Sequence, residues 1–305
     1  MTTSKAENGR NLKEAIIEGL IWFSGISAIL IIALIFIFLL KEGAPAFVNV
    51  PISSLLGRRW YPIEDLFGLL PLLIGSLLVT VGAVVIAVPL GLITAVYLGE
   101  FAPTWQRELL KPLIEVLAGI PSIVLGFLGW VVLAPLVQNM GASTGLTAFT
   151  GALILAYMSL PTIISITEDA LYAVPNEYRD GALAIGATQW QTIWRVVLPA
   201  ARSGIVIAVM LGIGRAIGET MAVMMVTGNA ANIPSWRTGL FFQPVRTMTA
   251  TIAAEMGEVA QGSVHYSVLF GIGIVLFLIT FAINSLATRF VSGGDGRATR
   301  RRAQL

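Results

Sequence analysis

Cysteine is absent from this chain, and histidine occurs once, as His265. Without thiols there can be no disulfide, no thiol nucleophile and no thiolate metal site, and a lone imidazole cannot build a histidine metal centre. Lysine is scarce as well. Lys5, Lys13, Lys41 and Lys111 are the four, and none is followed by Ser or Thr. That excludes the Gly-rich phosphate loop ending in Lys-Ser or Lys-Thr, so any nucleotide that powered this chain would be bound by another. Charge of both signs is thin, 12% of 305 residues, with a net charge of +2. So small a net charge points to no partner, nucleic acid included; what matters is where the charges fall.

Apolar sequence is what the chain has in quantity. Hydrophobic residues make up 56% of it, and mean hydropathy is +0.84. Several runs approach the roughly 20 apolar residues needed to cross a bilayer. Six spans are expected: Ile16 to Leu40, Phe67 to Leu98, Leu113 to Val137, Leu146 to Ile166, Ser203 to Thr227 and Ser267 to Ala287. The fold class is therefore all-α, a polytopic membrane protein. Pro71, Pro89, Pro121 and Pro135 fall in or beside spans, where neighbouring helices can satisfy the carbonyls they free, so kinks are expected. Ala44-Pro45-Ala46 looks like a signal-peptidase site, but the apolar run before it is too long for a signal peptide, and the first span is read as retained.

The chain divides accordingly. Residues 1–15 form a polar N-terminal segment, 16–40 the first span, and 41–66 an extracytoplasmic segment of limited regular structure. Residues 67–290 form the main transmembrane domain, with a polar loop at 172–199, and 291–305 a basic tail. Met248, Ile252, Met256 and Val259 share one helical face. Their helix is too short to span, and should lie at the outer surface or re-enter part way. Six spans put both termini on one side. Of 19 Lys+Arg, Lys41, Arg58, Arg59, Arg237 and Arg246 fall on the far side, Arg215 falls inside a span, and the remaining thirteen share the side of the termini and polar loop. By the positive-inside rule that side is cytoplasmic.

The polar loop reads as two short helices joined by a turn. Pro175 suits a first helical turn, and Glu177 and Asp180 favour that helix's positive end. Gly186 suits a left-handed stop, Thr188 with Gln191 forms a capping-box pattern, and Pro199 opens the next span. The stretch resembles the coupling loop of ABC-importer permeases, whose motif is Glu-Ala-Ala, three residues, Gly, nine residues, then Ile-x-Leu-Pro. Here the frame is Asp180-Gly181-Ala182, Gly186 and Val196-Val197-Leu198-Pro199, with every spacing kept. Asp for Glu, Gly for Ala and Val for Ile are the departures. The resemblance implies that Asp180, Gly181, Ala182, Gly186, Val196, Leu198 and Pro199 form the contact with a separate ATPase.

Arg215 is the one basic residue near the middle of a span, and Glu219 lies four residues on. Both are therefore expected to project from the same helical face. Each charge at mid-membrane costs roughly 2.5–3.5 kcal/mol, so the pair is a functional candidate by default. Guanidinium matches an oxyanion bidentately, and a carboxylate could accept a hydrogen bond from a protonated phosphate. The competing reading is a structural ion pair between helices. Glu168 and Asp169 are adjacent, face different ways on a helix and are expected to meet water at the end of the fourth span.

Arg215-Ala216-Ile217-Gly218-Glu219-Thr220-Met221-Ala222-Val223 resembles the fifth-span signature of phosphate-specific ABC transporter permeases of the PstC type. Trp60-Tyr61-Pro62, Phe67-Gly68-Leu69-Leu70-Pro71, Gly119-Ile120-Pro121-Ser122 and the run from Arg246 to Glu258 point the same way. Within that run, Thr249, Thr251, Glu255 and Glu258 are the candidate extracytoplasmic gate. The resemblance covers most of Trp60 to Ala287 and implies a type I ABC-importer permease fold in the bacterial inner membrane, both termini cytoplasmic. It also implies a PstA-like second permease, a PstB-like ATPase dimer carrying ATP and Mg, a PstS-like phosphate-binding protein and surrounding lipid. This chain itself would bind no cofactor or metal and would not be an enzyme. A permease for sulfate, molybdate or phosphonate, or an ion-coupled secondary transporter, are the alternatives.

Overall fold

The structure is a computed structural model describing residues 3–302, with side chains described for 14–286 except 238, and for 288 and 289. Helix α1 (Thr3–Asn49) leads into a short helical turn at Ile52–Leu55 and a two-stranded antiparallel hairpin, β1 (Trp60–Tyr61) and β2 (Leu66–Phe67), with Trp60 opposite Phe67. Then come α2 (Leu70–Phe101), α3 (Thr104–Ala118), α4 (Ser122–Asn139), α5 (Ala148–Tyr172), α6 (Asn176–Ala184), α7 (Gln189–Gly218), α8 (Met221–Val226), α9 (Met248–Glu255) and α10 (Val264–Arg302). Among the described residues six helices are long and apolar enough to cross a membrane: α1, α2, α4, α5, α7 and the Val264–Leu286 part of α10.

The first helix does not stop at Leu40. It runs to Asn49 through Pro45, because Gly43 and Ala46 sit three apart on one face and let it lie close on α10, where Ala46 is 1% exposed. Regular structure thus fills the start of the segment expected to be irregular. The third span is shorter than expected. Leu113 to Ala118 belong to α3, whose Glu108, Lys111 and Glu115 recur every three to four residues. Pro121 disfavours helix at Ile120, so the chain restarts at Ser122. The polar tail beyond Leu286 continues as helix to Arg302, and the side chains of Arg297, Arg300, Arg301 and Arg302 lie outside the described residues.

The central core joins α2, α4, α5, α7 and α8 through Val79, Ala83, Leu125, Ile154, Leu155, Ile163, Ala216 and Val223. A second cluster lies beside the hairpin, where Trp60, Phe67 and Leu72 meet Met248 and Leu269. Ile252, Met256 and Val259 pack against that cluster, so the four-residue face read from the sequence is the buried face of α9 and the turn after it.

Gly75 on α2 sets how closely the loop before α9 can approach. A Cβ built there would lie 2.3 Å from the Arg246 carbonyl oxygen. Beside it the Ser76 hydroxyl accepts the Met248 N–H at 2.9 Å. We expect Gly75→Ala to cost about 1–3 kcal/mol by overpacking, read as a lowered thermal midpoint of the solubilised protein. An unchanged midpoint would show that the loop can shift at no cost.

Candidate translocation path and coupling loop

Arg215 and Glu219 do not share a helical face. Helix α7 ends at Gly218, and Glu219 is extended, with φ −68° and ψ 134°. The Glu219 carboxylate turns forward and accepts the Ala222 N–H of α8 at 3.2 Å. The Thr249 hydroxyl of α9 donates to the Glu219 carbonyl at 2.8 Å. The expected span to Thr227 is thus broken in two, because Gly218 weakens the helix and the Glu219 side chain offers a better cap than a helical register would. Arg215 sits in the last turn of α7, half-buried, where the helix dipole favours a cation. Among the described residues it takes no ion-pair or hydrogen-bond partner, so no structural bridge joins it to Glu219.

The four gate candidates separate. Thr249 touches the Glu219 break, while Thr251 is fully buried and its hydroxyl returns to the Thr247 carbonyl at 2.8 Å. Glu258 is exposed and stands apart. Glu255 is the hub of a polar cluster. Its carboxylate accepts from Arg246 Nη2 at 2.8 Å and Trp60 Nε1 at 3.1 Å, and faces His265 Nε2 at 2.8 Å. Trp60 comes from the hairpin and His265 from the first turn of α10, inside rather than outside the sixth span. Sequence reading did not assemble this group. Trp60 lies 195 residues from Glu255, and the two meet only because Trp60 of the hairpin packs in the same cluster as Met248 of α9.

At the opposite end the polar loop forms much as its residues dictate. Gly186 has φ +85°, its N–H bonds the Leu183 carbonyl at 2.9 Å, and Ala187 N–H bonds that of Ala182 at 3.1 Å. The Thr188 hydroxyl accepts the Gln191 N–H at 3.2 Å while the Gln191 side chain accepts the Thr188 N–H at 3.0 Å, completing the capping box. Pro175 lies just before α6 rather than inside it. The second helix is not a separate short piece. It runs on as α7 through a widened turn at Ile193–Val197, and that widening accommodates Pro199, which has no N–H to give. Asp180, Gly181 and Gly186 are exposed, Ala182 is buried, and Leu198 packs toward Leu171 and Val174. Val196 is half-buried and Pro199 exposed at the root of the loop.

Glu168 does not face water. It is 6% exposed and pairs with Lys111 Nζ at 3.3 Å, while exposed Asp169 lies 3.5 Å from the same nitrogen. Burial opposes the Lys111 charge, but the two carboxylates outweigh it and raise its pKa above the ordinary 10.5. On the lysine side, the stability this tie contributes is fully present below the ordinary lysine pKa and is lost as pH rises through the raised one.

A bundle of six spans, broken at a charged residue and carrying a capped polar loop, is the architecture of a transport permease. The chain belongs to the family of binding-protein-dependent transport system inner membrane components, which it matches over residues 87–293. It is 41% identical over 251 residues to the probable ABC transporter permease protein YqgH of Bacillus subtilis strain 168, covering 80% of each chain. It is 39% identical over 265 residues to the phosphate transport system permease protein PstC of Mesorhizobium japonicum, again over 80% of each. Identity to PstC of Pasteurella multocida is 34% over 285 residues, 87% of each chain. The fold matches a chain of the MetNI methionine ABC transporter in an inward-facing conformation, with TM-score 0.59 at 19% identity, over 77% of this chain and 99% of that one. It also matches a chain of a bacterial alginate ABC transporter, with TM-score 0.55 at 14% identity, over 87% and 94%. The chain is therefore an ABC importer permease subunit, not itself an enzyme.

The Glu255 cluster makes a direct prediction. Glu255→Gln strands Arg246, whose side chain is only 17% exposed. The cost should be about 3 kcal/mol, the low end for a buried pair. Adding Arg246→Gln should recover much of the lost thermal stability. A single variant as stable as the parent would remove the cluster from any account of how this end of the bundle holds together.

Proposed function

We propose that this permease carries inorganic phosphate inward, with Arg215 as the anion's contact in the path and Glu219 beside it. The observation that carries the reading is a guanidinium at the end of α7, half-buried and with no protein partner among the described residues. A cation left in that state serves as a ligand group rather than as a packing device, since a structural charge at this depth would be matched. Its planar fork suits a tetrahedral oxyanion. PstC relatives support phosphate within the oxyanion class. Thr249 fixes the backbone of Glu219 and so belongs to the same path.

Loop 172–199 is the ATPase contact in this reading, with the exposed Asp180, Gly181 and Gly186 at its surface and Ile185, 87% exposed, as an apolar anchor. ATP and Mg reside on a PstB-like ATPase dimer, a PstA-like permease completes the path, and a PstS-like protein delivers phosphate from outside. Both termini are cytoplasmic in the bacterial inner membrane, as the placement of basic residues supports.

Orientation is tested with single cysteines, for which the chain offers no background. A cysteine at Ser143 or Ser235 should react with an impermeant reagent in intact cells, and one at Thr188 should not; the reverse would invert the topology. The anion contact is tested by phosphate uptake normalised to assembled complex. Arg215→Gln should lower uptake by about 10- to 100-fold, as expected for a lost charge-assisted contact, while ATP hydrolysis and assembly persist. Arg215→Lys should rescue partly, because it keeps the charge and loses the fork. Wild-type uptake in Arg215→Gln would end this reading.

A further inference from the structure

Helix α6, the first half of the loop proposed to meet the ATPase, has little to hold it. It is nine residues long, and Ala182 is its one buried residue. A helix this short is not stable alone and takes its position from tertiary contacts. Its strongest contact is Arg179, the residue just before Asp180. Arg179 Nη2 lies 2.7 Å from Glu100 Oε1, and its Nε is 3.4 Å from Glu100 Oε2, a two-point match of guanidinium to carboxylate. Nη2 also donates to the Leu171 carbonyl at 2.9 Å, and Nη1 to the Val174 carbonyl at 2.6 Å. Glu100 lies in the last turn of α2, and Leu171 at the end of α5. Gln189, which opens α7, donates to the Glu100 backbone carbonyl at 3.3 Å. One guanidinium therefore joins α6 to the ends of two spans, and the same acidic residue is held by the first residue of a third. The Glu100 side chain is 9% exposed and that of Arg179 20%, so solvent screens the pair only weakly.

We infer that Arg179, through Glu100, is the positioning residue that passes displacement of α6 to spans α2 and α5. The inference rests on the reading of loop 172–199 as the ATPase contact, and adds to it the route by which a push on that loop reaches the path. A flexible or single-point link would let α6 move without the spans. The bidentate fork with two carbonyl bonds leaves α6 no hinge relative to either of them.

The experiment uses the complete transporter reconstituted in vesicles: this chain with its second permease, ATPase and binding protein. Assembly, ATP hydrolysis and phosphate uptake are measured together, and the readout is phosphate moved per ATP. Arg179→Lys keeps the charge but cannot reproduce the fork, and Glu100→Gln keeps the shape but removes the charge. Both should assemble and hydrolyse ATP while phosphate per ATP falls by about tenfold or more, the population shift expected when a charge-assisted bond is lost. A structural cap alone would reduce the amount of complex and leave the ratio unchanged. An unchanged ratio in both variants therefore overturns the inference, whether or not assembly suffers. Wild-type uptake that needs no ATPase would overturn the coupling reading and this inference with it.

Discussion

Hydrocarbon offers no partner to a backbone N–H or C=O, and each one left unpaired there costs several kcal/mol. The break between α7 and α8 has to meet that demand with side chains. Glu219 caps the Ala222 N–H, Thr220 Oγ1 donates to the Gly218 carbonyl at 3.2 Å, and Thr249 donates to the Glu219 carbonyl. The consequence reaches the proposed anion contact. With its carboxylate turned forward to cap α8, Glu219 makes no ion pair with Arg215 among the described residues. Through Thr249, α9 is tied to the same break although it does not span.

The same demand is met by arginines at the end of the bundle that carries the polar loop. Arg107 Nη2 donates to the carbonyls of Leu98 and Gly99 at the end of α2, each at 2.8 Å, as Arg179 does for the end of α5. Both guanidiniums sit where helix dipoles leave partial negative charge. Basic residues collected on one face by the rule of membrane insertion are thereby also its helix caps.

Local chemistry was legible in the sequence, and distant pairing was not. The number of spans follows from apolar runs alone, although the bounds of the first, third and fifth shifted. The φ > 0 glycine at 186, the Thr188–Gln191 box and the buried face of α9 depend on residues within one or two helical turns, and each stands where the spacing put it. Reading Arg215 and Glu219 as one face assumed an unbroken helix. Gly218 and Thr220 were the signals against it, but the hydrogen bond that settles the conformation comes from Thr249, thirty residues on. Glu168 was read as facing water because it ends a span next to Asp169; its partner, Lys111, lies on a helix that the sequence merged into the third span. Asp180 to Gly186 place the loop surface, but Glu100, which anchors it, belongs to no motif.

Helix α1 rests chiefly on α10, and from Ile16 to Leu40 most of its large side chains stay exposed. Its neighbour is therefore a span that the ribosome makes long after it. At synthesis rates of roughly 5–20 residues per second, the first span waits on the order of ten to fifty seconds for Val264 and the helix it begins. For that interval it lacks the helix it packs on in the finished fold, and a polar or charged flank would invite mispairing with whichever helix arrived next. From Ala28 to Leu40 the first span is apolar all round, which is what a segment needs to be stable as a lone inserted helix before its partner exists. A ribosome that stalls before α10 therefore leaves α1 without its seat.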